Sequence, residues 1–137
     1  LSAMYGSMAF IQNSFAVYGD HAVCGTRGWI CPGDSDFTAH DEKIYKRELI
    51  RLRMSLEEAY KAGYRKNIGM LHYPPSNDAM DPSGFTELFA SYGTEKVVYG
   101  HLHGDDAYMK GPQGMIEGVE YILVSCDSLQ CRPLRIL

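Results

Sequence analysis

The sequence has no Cys-X-X-Cys among its 4 cysteines, no apolar run of membrane length and no excess of basic residues. Each absence excludes something. Cys24, Cys31, Cys126 and Cys131 stand seven and five residues apart within their pairs, so a zinc knuckle or a thioredoxin-type redox site is not expected. With no secretion signal in view, they fit reduced, mostly packed thiols in a cytoplasmic protein. Apolar runs such as Tyr121–Val124 are strand-sized, far short of the ~20 residues that cross a bilayer, so no membrane partner is expected. Lys and Arg number 13 against 17 Asp and Glu, a net charge of −4; a nucleic-acid partner calls for a basic face, and none is expected here. The 137 residues, 45% hydrophobic and 22% charged, have the length of one domain and the composition of a core-forming chain. The chain opens Leu-Ser-Ala-Met without an initiator at its first position, the expectation for part of something longer or for a processed or engineered product.

Hydrophobic periodicity gives the class. Ser14–Val17 and Ala22–Gly25 read as short strands about the turn Tyr18-Gly19-Asp20-His21. From Asp41, a plausible cap, Tyr45, Leu49, Leu52, Leu56 and Ala59 draw one apolar stripe on a helix that Gly63 ends. The charged residues between them, the basic run Lys43–Arg53 included, fall on its solvated side. Asn67–His72 is a buried-type strand, Pro82–Tyr92 a helix closed by Gly93, and Lys96–Tyr99 a second buried strand. A glycine-bearing stretch, Gly111–Gly118, leads into a last strand at Val119–Ser125. Strands alternating with helices predict an α/β fold, helices outside a sheet.

Three of the 5 histidines follow predicted buried strands directly: His72 after Ile68–Leu71, and His101 and His103 after Val97–Tyr99. In open α/β sheets ligands gather beyond those strand ends. The i, i+2 spacing of His101 and His103 in extended backbone would turn both rings to one side, and neutral imidazole is a common ligand for Zn, Mn, Fe and Ni. His72, His101 and His103 are therefore the candidate metal ligands. His21 and His40, each alone in a polar loop, are expected to be satisfied by backbone carbonyls. Arg27, between two glycines, is a candidate for an oxyanion contact, and Tyr73 and Asn77 are candidates to line a substrate pocket. Asp78, Asp81, Asp105 and Asp106 read as solvated loop acids. Ser125 and Cys126 have no Ser–His or Cys–His motif around them.

The segments Met70-Leu71-His72-Tyr73-Pro74-Pro75 and Val98-Tyr99-Gly100-His101-Leu102-His103-Gly104 resemble the last two motifs of calcineurin-like metallophosphoesterases. Gly25-Thr26-Arg27-Gly28-Trp29 resembles a bacterial phosphohydrolase branch of that superfamily. The resemblance implies the C-terminal portion of a metallophosphoesterase-type β-sandwich flanked by helices in α-β-β-α layers. Residues 1–137 would be a single, partial domain lacking the N-terminal half. It implies hydrolysis of a phosphate ester at a centre of two divalent ions (Mn, Fe, Zn or Ni), His72 and His101 holding one and His103 the other. Such ions polarise phosphoryl oxygens and lower the pKa of a bound water.

The family's Asp-X-His, Gly-Asp-X-X-Asp and Gly-Asn-His-Asp or Gly-Asn-His-Glu motifs have no counterpart in place here. Gly33-Asp34-Ser35-Asp36 echoes one of them but follows no buried strand, and reads as a solvated loop. No bridging carboxylate is evident, and neutral imidazoles alone do not balance two cations. The chain is accordingly expected to carry part of the site, with one ion or none, no catalytic residue of its own and little or no activity alone. Its partners would be a phosphate-ester substrate and either the missing half or a second copy. The alternative is a non-catalytic α/β module that folds by association, since half a sandwich leaves apolar sheet surface open. A three-histidine mononuclear zinc hydrolase, complete as it stands, is a third possibility.

Overall fold

A computed structural model describes residues 6 and 8–137; the opening Leu-Ser-Ala-Met lies outside them. The elements follow in the order β1 (Phe15–Tyr18), β2 (His21–Thr26), α1 (Ala39–Lys61), β3 (Lys66–Leu71), α2 (Gly84–Ser91), β4 (Lys96–Tyr99), α3 (Asp105–Tyr108), β5 (Gly114–Ile116) and β6 (Val119–Leu123). They form a mixed α/β fold around one six-stranded sheet of order β1-β2-β3-β4-β6-β5. The four inner strands run parallel, while β1 and β5 close the edges as antiparallel hairpin partners of β2 and β6. The described residues thus supply one sheet, and the two-sheet sandwich is not seen among them.

Strand alternation decides which side carries the core. Ala22 and Cys24 of β2, Leu71 of β3, Val97 and Tyr99 of β4, and Val119, Tyr121 and Leu123 of β6 are all buried in one cluster. Tyr45, Leu52, Leu56 and Ala59 of α1 and Phe85, Leu88 and Phe89 of α2 complete it. Gly69 of β3 makes room for that packing: a Cβ there would lie 2.5 Å from the Phe89 ring and 2.7 Å from Val97.

Several boundaries move for local reasons. Thr38, not Asp41, caps α1: its side chain accepts the Asp41 N–H, and the Asp41 carboxylate accepts the Thr38 N–H, a reciprocal capping box. Helix α2 starts after Ser83, whose hydroxyl accepts the N–H groups of Phe85 and Thr86, so Pro82 stays outside it. Strand β3 stops at Leu71 because the His72 and Tyr73 N–H groups both turn to the Arg27 carbonyl, at 3.0 Å each. Strand β6 ends two residues early, at Leu123. The glycine-bearing stretch contributes the edge strand β5, and the short helix α3 follows the histidine motif.

The basic run on α1 is not purely solvated surface. Glu48 within it is fully buried. It accepts the Thr26 hydroxyl at 2.5 Å and Arg51 Nη1 at 2.8 Å, with Arg27 Nη2 3.5 Å away. Ser55, also buried on that side, donates to the Ser14 carbonyl and accepts the Gly25 N–H, tying α1 to the first hairpin. No helix among the described residues is long and apolar enough to cross a membrane.

Candidate metal centre

The C-terminal ends of β2, β3, β4 and β6 meet at one edge of the sheet, and the candidate residues gather there. A groove of about 490 Å³ runs across these ends, lined by Phe10, Thr26, Arg27, His72, Gly100 and Val124 among others. A smaller cleft of about 130 Å³ adjoins it, with His101, Asp34 and Asp78 in its wall. A further concavity of about 630 Å³ lies on the sheet face away from the helices, and no histidine lines it.

His72 and His101 come together: His72 Nε2 is 3.2 Å from His101 Nδ1, and the rings meet at 77°. Two nitrogens each ~2.1 Å from one cation are separated by roughly 3.2–3.4 Å, so this pair fits two corners of a single ion's coordination shell. Both side chains are exposed to solvent and hence to an entering ligand. Partial burial, and then the proximity of His72 and His103, hold the His101 pKa below the ordinary imidazole value. That favours the neutral form, the one that binds metals.

Tyr73 positions the pair. Its ring stacks on His101 with centroids 4.1 Å apart and stands edge-on to His72 at 5.2 Å. Trp29 packs against Tyr73 at 4.9 Å, and the Arg27 guanidinium lies 4.6 Å above the Trp29 ring. Arg27 therefore lines the groove while leaning on Trp29 and Glu48, with about half its side chain exposed (46%). Asn77 does otherwise. It is buried, its amide donates to the Pro32 carbonyl and Asp81, and its oxygen accepts the Ala79 and Asp81 N–H groups. Its hydrogen-bonding capacity is spent on clamping two loops.

The expectation of extended backbone through the His-X-His motif is corrected. His101 has φ of +72°, and the Leu102 N–H closes a tight turn onto the Gly100 carbonyl at 2.8 Å. The turn sends the two rings to different partners. His103 Nδ1 bonds Asp127 Oδ1 at 2.9 Å on the loop after β6. Asp127 Oδ2 also accepts the Gly104 N–H at 3.1 Å. Hydrogen bonding, from Tyr108 first and from Gly104 and His103 after it, holds the Asp127 carboxyl far below the usual range.

Asp127 places a carboxylate beside His103. It was overlooked because it belongs to no motif, although its place just past a parallel strand is where ligands gather. Cys126 and Cys131 are exposed, unlike the packed thiols expected, whereas burial pushes the Cys24 and Cys31 thiols up to about 11 and about 12. Ser125 is buried, and its hydroxyl has no hydrogen-bond partner. His21 sits between carboxylates, Asp20 at 2.8 Å and Glu95 at 3.5 Å, in place of the expected carbonyls. No family model, curated protein or solved structure matches the chain.

Proposed function

We propose that this chain carries the histidine side of a metal-dependent phosphoesterase site, with His72, His101 and His103 holding divalent cations at the sheet edge. The observation that carries the proposal is the 3.2 Å approach of two exposed imidazole nitrogens at the ends of adjacent parallel strands. A divalent cation bound there would polarise a phosphoryl oxygen and make a bound water more acidic. The chain's own residues do the rest. Tyr73 fixes the ring planes, the Arg27 carbonyl sets the backbone at His72, and the Arg27 guanidinium offers a bidentate contact to a phosphate entering the groove. In this proposal the sheet is one layer of a metallophosphoesterase-type sandwich, and the substrate is a phosphate ester.

The test is Mn²⁺ and Zn²⁺ binding by calorimetry, followed by titration with inorganic phosphate. Expected is one metal-binding event that His72→Ala with His101→Ala removes, and phosphate binding that requires the metal and weakens about tenfold in Arg27→Ala, the worth of ~1.4 kcal/mol. Metal binding unchanged by the double substitution would overturn the metal assignment. Phosphate binding indifferent to metal would overturn the phosphoesterase assignment.

A further inference from the structure

The loop after β6 brings together a donor set that no motif announced. One ring nitrogen of His103, the thiol sulfur of Cys126 and a carboxylate oxygen of Asp127 all lie within 4.8 Å of one another, and all three residues are exposed. The positions are held from both sides. The Asp127 carboxylate takes the N–H groups of Gly104 and Ser128 at 3.1 Å each. Gly104, with φ of +88°, supplies a backbone conformation that a residue with a side chain rarely adopts. On the loop itself, Leu129 bonds back to the Ser125 carbonyl, Gln130 to Asp127 and Cys131 to Cys126, at 3.1, 3.0 and 2.6 Å. This compact turn fixes the Cys126-Asp127 step beside His103.

We infer that His103, Cys126 and Asp127 form a cation subsite of their own, selective for a borderline-soft ion of the zinc class. It deepens the proposed function, which leaves His103 to a second ion, and rests on that reading for its catalytic meaning. The donor chemistry carries the selectivity. Thiolate and imidazole favour zinc, whereas Mg²⁺ and Ca²⁺ prefer oxygen ligands throughout. Three protein ligands leave the fourth tetrahedral position open, as in catalytic zinc sites and unlike closed structural ones. Asp127 also balances charge that three imidazoles cannot. On binding, the Cys126 thiol proton leaves to solvent as the sulfur–metal bond forms. Where the ion enters on the Asp127 side of the ring, the Nδ1 proton of His103 moves to Nε2, with no further net release.

Cobalt(II) replaces zinc in such sites and reports its ligands optically, so the probe is Co²⁺ alone, titrated into the intact chain. Expected is a near-ultraviolet sulfur-to-cobalt charge-transfer band. Cys126→Ser should abolish the band, and Asp127→Asn should weaken binding by at least about tenfold, a loss that even supporting residues produce. Cys131→Ser should leave both unchanged. The band should persist in the His72→Ala, His101→Ala variant, which separates this subsite from the first one. Absence of the band in a chain whose circular dichroism shows it folded overturns the inference, as does a band that survives Cys126→Ser.

Discussion

His101 sits at φ of +72°, a region that costs a residue with a Cβ about 1–2 kcal/mol, and its ring packs against both Tyr73 and His72. Strain of this kind concentrates where a side chain is held for use. Substitutions by Gly and by Ala both remove the ring, so their difference isolates the backbone. His101→Gly is expected to be more stable than His101→Ala by about 1 kcal/mol in urea unfolding, with the binding event at the His72–His101 pair lost in both. Glu48 is the other residue-scale feature. Replacing it by Ala removes hydrogen bonds from Thr26 and Arg51, and the expected loss is about 1.5–3 kcal/mol, the worth of a hydrogen bond to a charged group. The Arg27 contact adds little, since that guanidinium is half exposed. Glu48 was invisible in the sequence as a buried acid. A glutamate amid basic residues on an amphipathic helix counts as surface until a partner from another element, here Thr26, reaches it.

At the scale of elements, the α1 stripe, the α2 face and the inner strands were legible because burial imposes period 3.6 or 2 on apolar residues. Their ends were less so, since caps depend on which side chain turns back onto the backbone. Asp41 illustrates this. It lies three residues into the capping box, its pKa held below the ordinary 3.8 by the Thr38 hydroxyl first and the Trp29 indole next. A lowered carboxyl pKa means that Asp41 stabilises the fold fully above its unfolded pKa, and that this contribution is lost as pH falls from about 4 through the folded value. Asp41→Asn should therefore flatten the fall in melting temperature between about pH 5 and pH 2, read by circular dichroism. Undiminished acid sensitivity would contradict the box. Gly69 makes the second element-scale prediction. With Phe89 and Val97 already at 2.5 and 2.7 Å from a built Cβ, Gly69→Ala should cost roughly 1–3 kcal/mol of stability as overpacking.

Across the whole molecule, one face of the sheet is covered by helices and the other by little. Ile68 and Val98 on the second face are buried, yet Met70, the register partner of Val98, is 43% exposed. The C-terminal residues Arg135–Leu137 share that hollow, and Lys96 Nζ donates to the Ile136 carbonyl at 3.1 Å. Removing Arg135–Leu137 should raise binding of a hydrophobic dye and shift sedimentation toward association, as expected when an apolar face is uncovered. The candidate site was legible only in part at this scale. Strand-end placement picked out His72 and His101. The partnership of His103 with Asp127 was not visible, because it joins loops 24 residues apart in sequence through a turn at His101 that residue types do not reveal. Arg27 lines the groove, Tyr73 packs against both imidazole rings, and Asn77 is drawn into loop packing. The central claim is that the sheet edge binds a divalent cation through paired imidazoles. It is tested most directly by calorimetric titration of Zn²⁺ into the wild-type chain and into the variant carrying His72→Ala and His101→Ala. Expected is one binding event fewer in the variant, with circular dichroism unchanged; identical isotherms for the two proteins would contradict the claim.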